Sequence, residues 1–107
     1  MTNILFVCSR NRRRSPTAEK IFAERPGIET ASSGTSPDAD EPVTADSIAW
    51  ADVVFVMEQT HRRKLTAQFG KALNGKRIVC LDIPDKYAFM DPDLVRLLTA
   101  KVSRHLR

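Results

Sequence analysis

The stretch from Asn3 to Glu19, NILFVCSRNRRRSPTAE, decides how this chain folds, because a strand, a loop and a helix start follow one another in it without spare residues. Asn3 to Cys8 is a short run of β-formers, apolar from Ile4 onward, as expected of a strand buried on both faces. The apolar part is far too short for a membrane span or a signal-peptide core. The run stops at Cys8, where Arg10, Arg12, Arg13 and Arg14 crowd into one segment. Ser15-Pro16 then reads as a helix start, with Ser15 as N-cap and Pro16 at the first helical position. Ala18, Ile21 and Phe22 fall on one helical face, and Pro26-Gly27 ends the element.

Outward from that stretch the alternation repeats. Ile28 to Ser33 is a strand candidate, followed by a turn-rich segment from Gly34 to Pro42. Thr44 can cap a short helix running through Trp50. Asp52 to Met57 (DVVFVM) is the clearest strand. A helix carrying Leu65 and Phe69 follows, with Gly70 or Gly75 closing the region, and Arg77 to Ile83 supplies a fourth strand. Asp91-Pro92 opens a last helix with an apolar stripe of Leu94, Val95, Leu97, Leu98 and Val102. Strands alternating with helices imply right-handed crossovers and a parallel sheet covered on both sides. The expected architecture is α/β: a single doubly wound domain over residues 1–107, with a four-stranded parallel sheet flanked by helices. Ligand sites in such sheets lie off the carboxyl ends of the strands, where the residues after Cys8 and after Ile83 both fall.

The chain has 107 residues, enough for one hydrophobic core. Its net charge of +4 is unevenly spread, for Asp38, Asp40, Glu41, Asp46 and Asp52 make the middle acidic. Two cysteines, Cys8 and Cys80, give no disulfide framework and fit free thiols in a reducing compartment. There are no repeats and no lipidation pattern, so a cytoplasmic protein without a membrane partner is expected.

Cys8-Ser9-Arg10-Asn11-Arg12-Arg13-Arg14-Ser15 carries the chemistry. Successive backbone N–H groups in a strand-to-helix loop can converge on an anion, and the helix adds a positive dipole end. A cysteine at the start of that loop lies beneath the anion, and the same field favours its thiolate. Arg14, six residues after Cys8, can swing back as a planar fork onto two phosphate oxygens. Taken singly, a strand-end cysteine is usually a small buried hydrophobe, and an arginine cluster is usually a solvated surface. It is their joint spacing that points to phosphate.

With these residues in view, the sequence resembles the low-molecular-weight protein tyrosine phosphatases, whose signature is cysteine, five residues, arginine, then serine or threonine near the N-terminus. CSRNRRRSPTAE matches that pattern, Ser32-Ser33-Gly34-Thr35 resembles the family's Ser-Ala-Gly-Thr stretch, and ADVVFVMEQTH resembles its third strand and exit. The resemblance implies Cys8 as nucleophile and Arg14 as phosphate clamp. It implies Asn11 holding the loop by hydrogen bonds with Ser32, and Ser15 donating to the Cys8 sulfur. The remaining loop positions Ser9, Arg10, Arg12 and Arg13 would frame the phosphate. It implies a phosphorylated protein or small aryl phosphate as substrate and inorganic phosphate as product. This chain departs from the family in having Arg10 where glycine is frequent and Arg13 where a second cysteine is common. It is also about a third shorter than is usual, the missing length lying between Thr35 and Asp52.

Ester cleavage needs a carboxylic acid for the leaving oxygen, and three candidates follow the last strand: Asp82, Asp85 and Asp91. Asp91-Pro92 is followed at once by the helical stripe and suits a helix cap. Asp85 has the spacing the family implies, with Tyr87 where the family has an aromatic against the substrate ring, although Lys86 stands where proline is expected. Asp82 could instead fix the turn at Pro84. All three stay open, as does phosphotyrosine against phosphoserine. The rival functions are arsenate reduction, which needs a resolving thiol where only Cys80 remains, and a catalytically silent phosphoprotein reader or nucleic-acid module. Nucleic acid is not expected, since aromatics do not interleave the basic residues. His61-Arg62-Arg63-Lys64 and Arg104 to Arg107 read as exposed helix faces. His61 and His105 lack companion ligands, so neither metal nor cofactor is expected.

Overall fold

The computed structural model describes residues 1–106. Arg107, the last of the expected exposed run Arg104 to Arg107, lies outside the described residues. The elements run β1 (Thr2–Cys8), α1 (Arg14–Phe22), β2 (Ile28–Gly34), α2 (Ala45–Trp50), β3 (Val53–Val56), α3 (Gln59–Phe69), a 3₁₀ turn (Gly70–Leu73), β4 (Arg77–Cys80) and α4 (Pro92–Ser103). The strands form one four-stranded sheet in the order β2-β1-β3-β4, every neighbouring pair parallel. This is the doubly wound α/β arrangement expected from the alternation.

β1 is central, which explains its unbroken apolar run. Ile4, Phe6 and Cys8 face a core shared with Ala18 and Phe22 of α1 and with Leu94, Leu98 and Val102 of α4. Leu5 and Val7 face the other layer, with Ile48 of α2 and Leu65 of α3. A strand with helices on both sides has no solvent face on which alternation could appear. Phe6 stacks between Phe22 and Phe55, at centroid separations of 5.9 and 5.5 Å. Among the described residues no helix is long and apolar enough to cross a membrane.

Among the boundaries that differ from expectation, two have local reasons that bear on the site. The first helix starts earlier, with Arg13 as N-cap and Ser15 inside the first turn, so the Ser15 hydroxyl is free for another partner. The fourth strand ends at Cys80 rather than Ile83. Leu81 and Ile83 still donate backbone hydrogen bonds to Val56 and Met57, at 2.9 and 2.8 Å, but Asp82 between them has φ +52° and breaks the extended run. The caps behave as read: Thr44 caps α2 with a reciprocal bond to Ser47, and Asp91 caps α4 with Pro92 at N1.

The topology places the functional loops. β1 and β3 are neighbours whose connections depart to opposite sides, so the crevice beyond their carboxyl ends is the switch point of the sheet. Residues 9–13 follow β1 into that crevice, and Glu58 follows β3.

Candidate active site

Beyond β1 a cavity of about 380 Å³ is lined by Cys8, Ser9, Arg10, Arg12, Arg13, Arg14 and Asp85. Cys8 is 3% exposed. Its Sγ lies 2.9 Å from Ser15 Oγ, and the Asn11 backbone N–H donates to it at 3.3 Å. Asn11 Nδ2 in turn donates to Ser15 Oγ at 2.9 Å. With its lone pair engaged by Asn11, the Ser15 hydroxyl can give its hydrogen to the sulfur; the alternative acceptor, the Ser33 carbonyl, is more distant at 3.4 Å. Two donors thus converge on the sulfur, the arrangement a thiolate needs.

The loop curls because Asn11 takes φ +58°, a left-handed conformation that asparagine tolerates better than most side chains. A second layer clamps it from outside. Thr35 N–H donates to the Cys8 carbonyl at 2.9 Å, Ser36 N–H to Ser9 at 2.9 Å and Asp40 N–H to Arg10 at 3.1 Å. Gly34 permits this approach: a Cβ there would sit 2.5 Å from the Ser9 carbonyl oxygen and 2.6 Å from Ala39 Cβ.

Arg14 is fully buried, and its charge is met from two other loops. Nη1 donates to Glu58 Oε2 at 2.7 Å and to the Ile83 carbonyl at 2.6 Å, while Nε lies 3.8 Å from Asp85 Oδ1. Nη1 is therefore spent on the scaffold, and the Nε/Nη2 edge is the fork left for a ligand's oxygens.

Behind the loop, His61 is 1% exposed, not the exposed helix-face residue expected from the run His61 to Lys64. Its position in the first turn of α3 turns the ring inward, where Nδ1 accepts from the Glu58 N–H at 3.1 Å. The neutral ring then carries its hydrogen on Nε2 and donates to Ser9 Oγ at 2.9 Å. Burial, with the nearby Arg14 guanidinium adding to it, pushes the His61 pKa down to about 4.

Of the three carboxylates weighed for the acid, the cavity contains only Asp85, whose side chain is 53% exposed. Asp91 is occupied capping α4, its carboxylate accepting from Asp93 N–H at 2.8 Å. Asp82 accepts from the Cys80 thiol at 3.3 Å, away from Cys8. One supporting contact needs correction, and Tyr87 stands apart from the cavity lining. Ser32 does not meet Asn11; its hydroxyl donates to Glu19 Oε1 of α1 at 2.5 Å, and β2 approaches Ser15 instead through the backbone carbonyl of Ser33. Tyr87 does not line the cavity and packs half-buried against the core beneath α1 and α4. Cys80, expected to be buried in its strand, is half-buried on the edge strand β4 and also outside the cavity.

Glu58 and His61 escaped the sequence reading as site residues. The signal was available, since both follow β3 at its carboxyl end, where a doubly wound sheet binds ligands.

No family model matches the sequence, and no curated protein matches it. Solved structures do. The YwlE arginine phosphatase from Geobacillus stearothermophilus superposes with a TM-score of 0.78 at 21% identity, over 99% of this chain and 93% of that one. SP-PTP, a low molecular weight protein tyrosine phosphatase from Streptococcus pyogenes, gives 0.80 at 17%, covering 99% and 91%. The tyrosine phosphatase Wzb from Escherichia coli K30, in complex with phosphate, gives 0.78 at 21%, covering 96% and 94%. At these identities the likeness establishes the fold.

Proposed function

We propose that this chain, which has the fold of the low-molecular-weight phosphatases, is a cysteine-dependent phosphomonoesterase acting on phosphorylated protein or small aryl phosphates and releasing inorganic phosphate. The observation that carries the reading is the Cys8 sulfur, held by Ser15 Oγ at 2.9 Å and Asn11 N–H at 3.3 Å at the floor of a cavity that also holds Arg14 and Asp85. A buried strand-end cysteine serving only as a hydrophobe needs neither donor.

The chemistry has two steps. The Cys8 thiolate attacks phosphorus in line as the bond to the ester oxygen breaks, and the carboxylic acid of Asp85 protonates the departing oxygen. The product is S-phosphocysteine. Water then attacks phosphorus, giving its proton to the Asp85 carboxylate while the S–P bond breaks and the thiolate returns. Ser15 O–H stabilises the sulfur as it leaves. The Nε/Nη2 edge of Arg14 and the loop N–H groups hold the equatorial oxygens, whose charge grows in the transition state. Glu58 and the Ile83 carbonyl hold the guanidinium in place, so no reorganisation is needed when charge develops. The cytoplasm, with its reduced thiols, is the compartment this free nucleophile requires.

Arsenate reduction is the weaker reading, because Cys80 lies outside the cavity and burial pushes its thiol pKa up, away from the reactive range. Steady-state kinetics on phosphotyrosine and phosphoserine peptides test the proposal. Turnover is expected on at least one, and Cys8→Ser is expected to lower it by at least about a thousandfold. Equal activity in wild type and Cys8→Ser would overturn the reading.

A further inference from the structure

The cavity is lined by four arginines, and only one of them is buried at its floor. Arg14 meets the phosphoryl group, yet Arg10, Arg12 and Arg13 also line the cavity, all exposed. Among the described residues, neither Arg10 nor Arg13 has a carboxylate within ion-pair distance, and Arg12 reaches only Asp40, at 3.3 Å, in a pair whose two side chains are half or more exposed. Such an exposed pair exchanges readily with another carboxylate.

The chain itself shows which chemistry these arginines accept. Its acidic turn, carrying Asp38 and Asp40, lies across the loop, fixed by the backbone bonds of Thr35, Ser36 and Asp40. Asp38 is held below the usual carboxylate range chiefly by the Ser36 hydroxyl, with Arg10 and Arg12 adding to it. A carboxylate of the chain, that of Asp40, is thus already the partner of one of the three arginines. Aromatic side chains are absent from the described cavity lining, so no ring there stacks on a nucleobase or a phenyl group.

We infer that Arg10, Arg12 and Arg13 are specificity determinants that select a phosphorylated peptide segment bearing aspartate or glutamate beside the phosphorylated residue. The inference rests on the phosphatase reading and adds the substrate's charge to it. Cationic flanks, or the guanidinium of a phosphoarginine, would meet like charge at the mouth.

The test uses three phosphotyrosine peptides of one length, flanked by Asp/Glu, by Ala or by Lys. At low salt kcat/KM is expected to be about tenfold higher for the acidic than for the lysine peptide, and the ratio to approach one near 1 M salt. In Arg10→Gln/Arg13→Gln the ratio itself is expected to fall severalfold, whatever happens to the absolute rate. Affinity for the same peptides, measured on Cys8→Ser protein, reads the preference without turnover. Absent turnover of p-nitrophenyl phosphate would therefore count against the phosphatase reading alone, while equal affinities for the three peptides would overturn this inference. An oligonucleotide that displaces them, with the flanking charge making no difference, would also overturn it and assign the arginines to nucleic acid.

Discussion

The loop after β1 and the loop after β4 bring their charged groups to the same cavity, yet they are held in opposite ways. Around Cys8 nearly every polar atom has a partner inside the protein: Ser15, the Asn11 amide and side chain, and the backbone clamp from residues 35–40. Asp85 stands half-exposed on a segment without regular structure, tied to Arg14 by one contact of 3.8 Å. The place of Cys8, the proposed nucleophile, is overdetermined by burial. That of Asp85, the proposed proton donor, is set by a single weak tether in solvent. A nucleophile must be aligned to within tenths of an ångström before the reaction starts, whereas an acid has to reach only one leaving oxygen and can tighten on substrate binding.

Breaking the exposed side of this comparison should show in the dependence of rate on the leaving group. Asp85→Asn is expected to lower kcat/KM, which reports the phosphorylation step, roughly 10²-fold on phenyl phosphate and only a fewfold on a nitrophenyl ester whose leaving group needs no proton. The same dependence on leaving group in Asp82→Asn, with Asp85→Asn unaffected, would move the acid to Asp82. Breaking the buried side should instead appear as stability. Gly34→Ala forces a methyl group against the Ser9 carbonyl and Ala39, with an expected cost of about 1–3 kcal/mol in chemical denaturation and a matching loss of turnover.

The smallest expected effect sharpens the role of His61. Its folded pKa, about 4, is depressed below its ordinary value, so between those two values the unfolded chain binds more protons than the folded one. Stability from this group is therefore full above about pH 6.5 and falls as the pH drops toward 4, by about 1–2 kcal/mol at pH 5. Urea unfolding at pH 7 and pH 5 checks it, and His61→Gln should flatten the difference.

Much of this was legible in the sequence because burial leaves a coarse signature. The runs Asn3 to Cys8 and Asp52 to Met57 read as strands covered on both faces, and Asp91-Pro92 read as a helix start, although Asp91 was also a candidate acid. The cysteine-to-arginine spacing fixed the loop for the same reason, since a strand end and a helix start leave few ways to close it. What was not legible depended on side-chain direction. Ser32 lies opposite Phe6 on the α1 side of β2, and only the folded chain shows that Glu19 rather than Asn11 takes its hydroxyl. His61 sat in a basic run that read as surface, and only the inward turn at the start of α3 buries it. Tyr87 matched an expected position, but an unstructured segment gives no periodicity from which to tell a cavity wall from a core contact.

The central claim is that the Cys8 sulfur becomes covalently phosphorylated during turnover. Rapid quenching of the wild-type protein with an activated aryl phosphate, followed by mass analysis, tests it most directly. The account predicts that the Cys8 peptide gains one phosphoryl group within the first turnover and that Cys8→Ala protein gains none. Product release at full rate with the Cys8 peptide unmodified, or undiminished hydrolysis by Cys8→Ala, would contradict it.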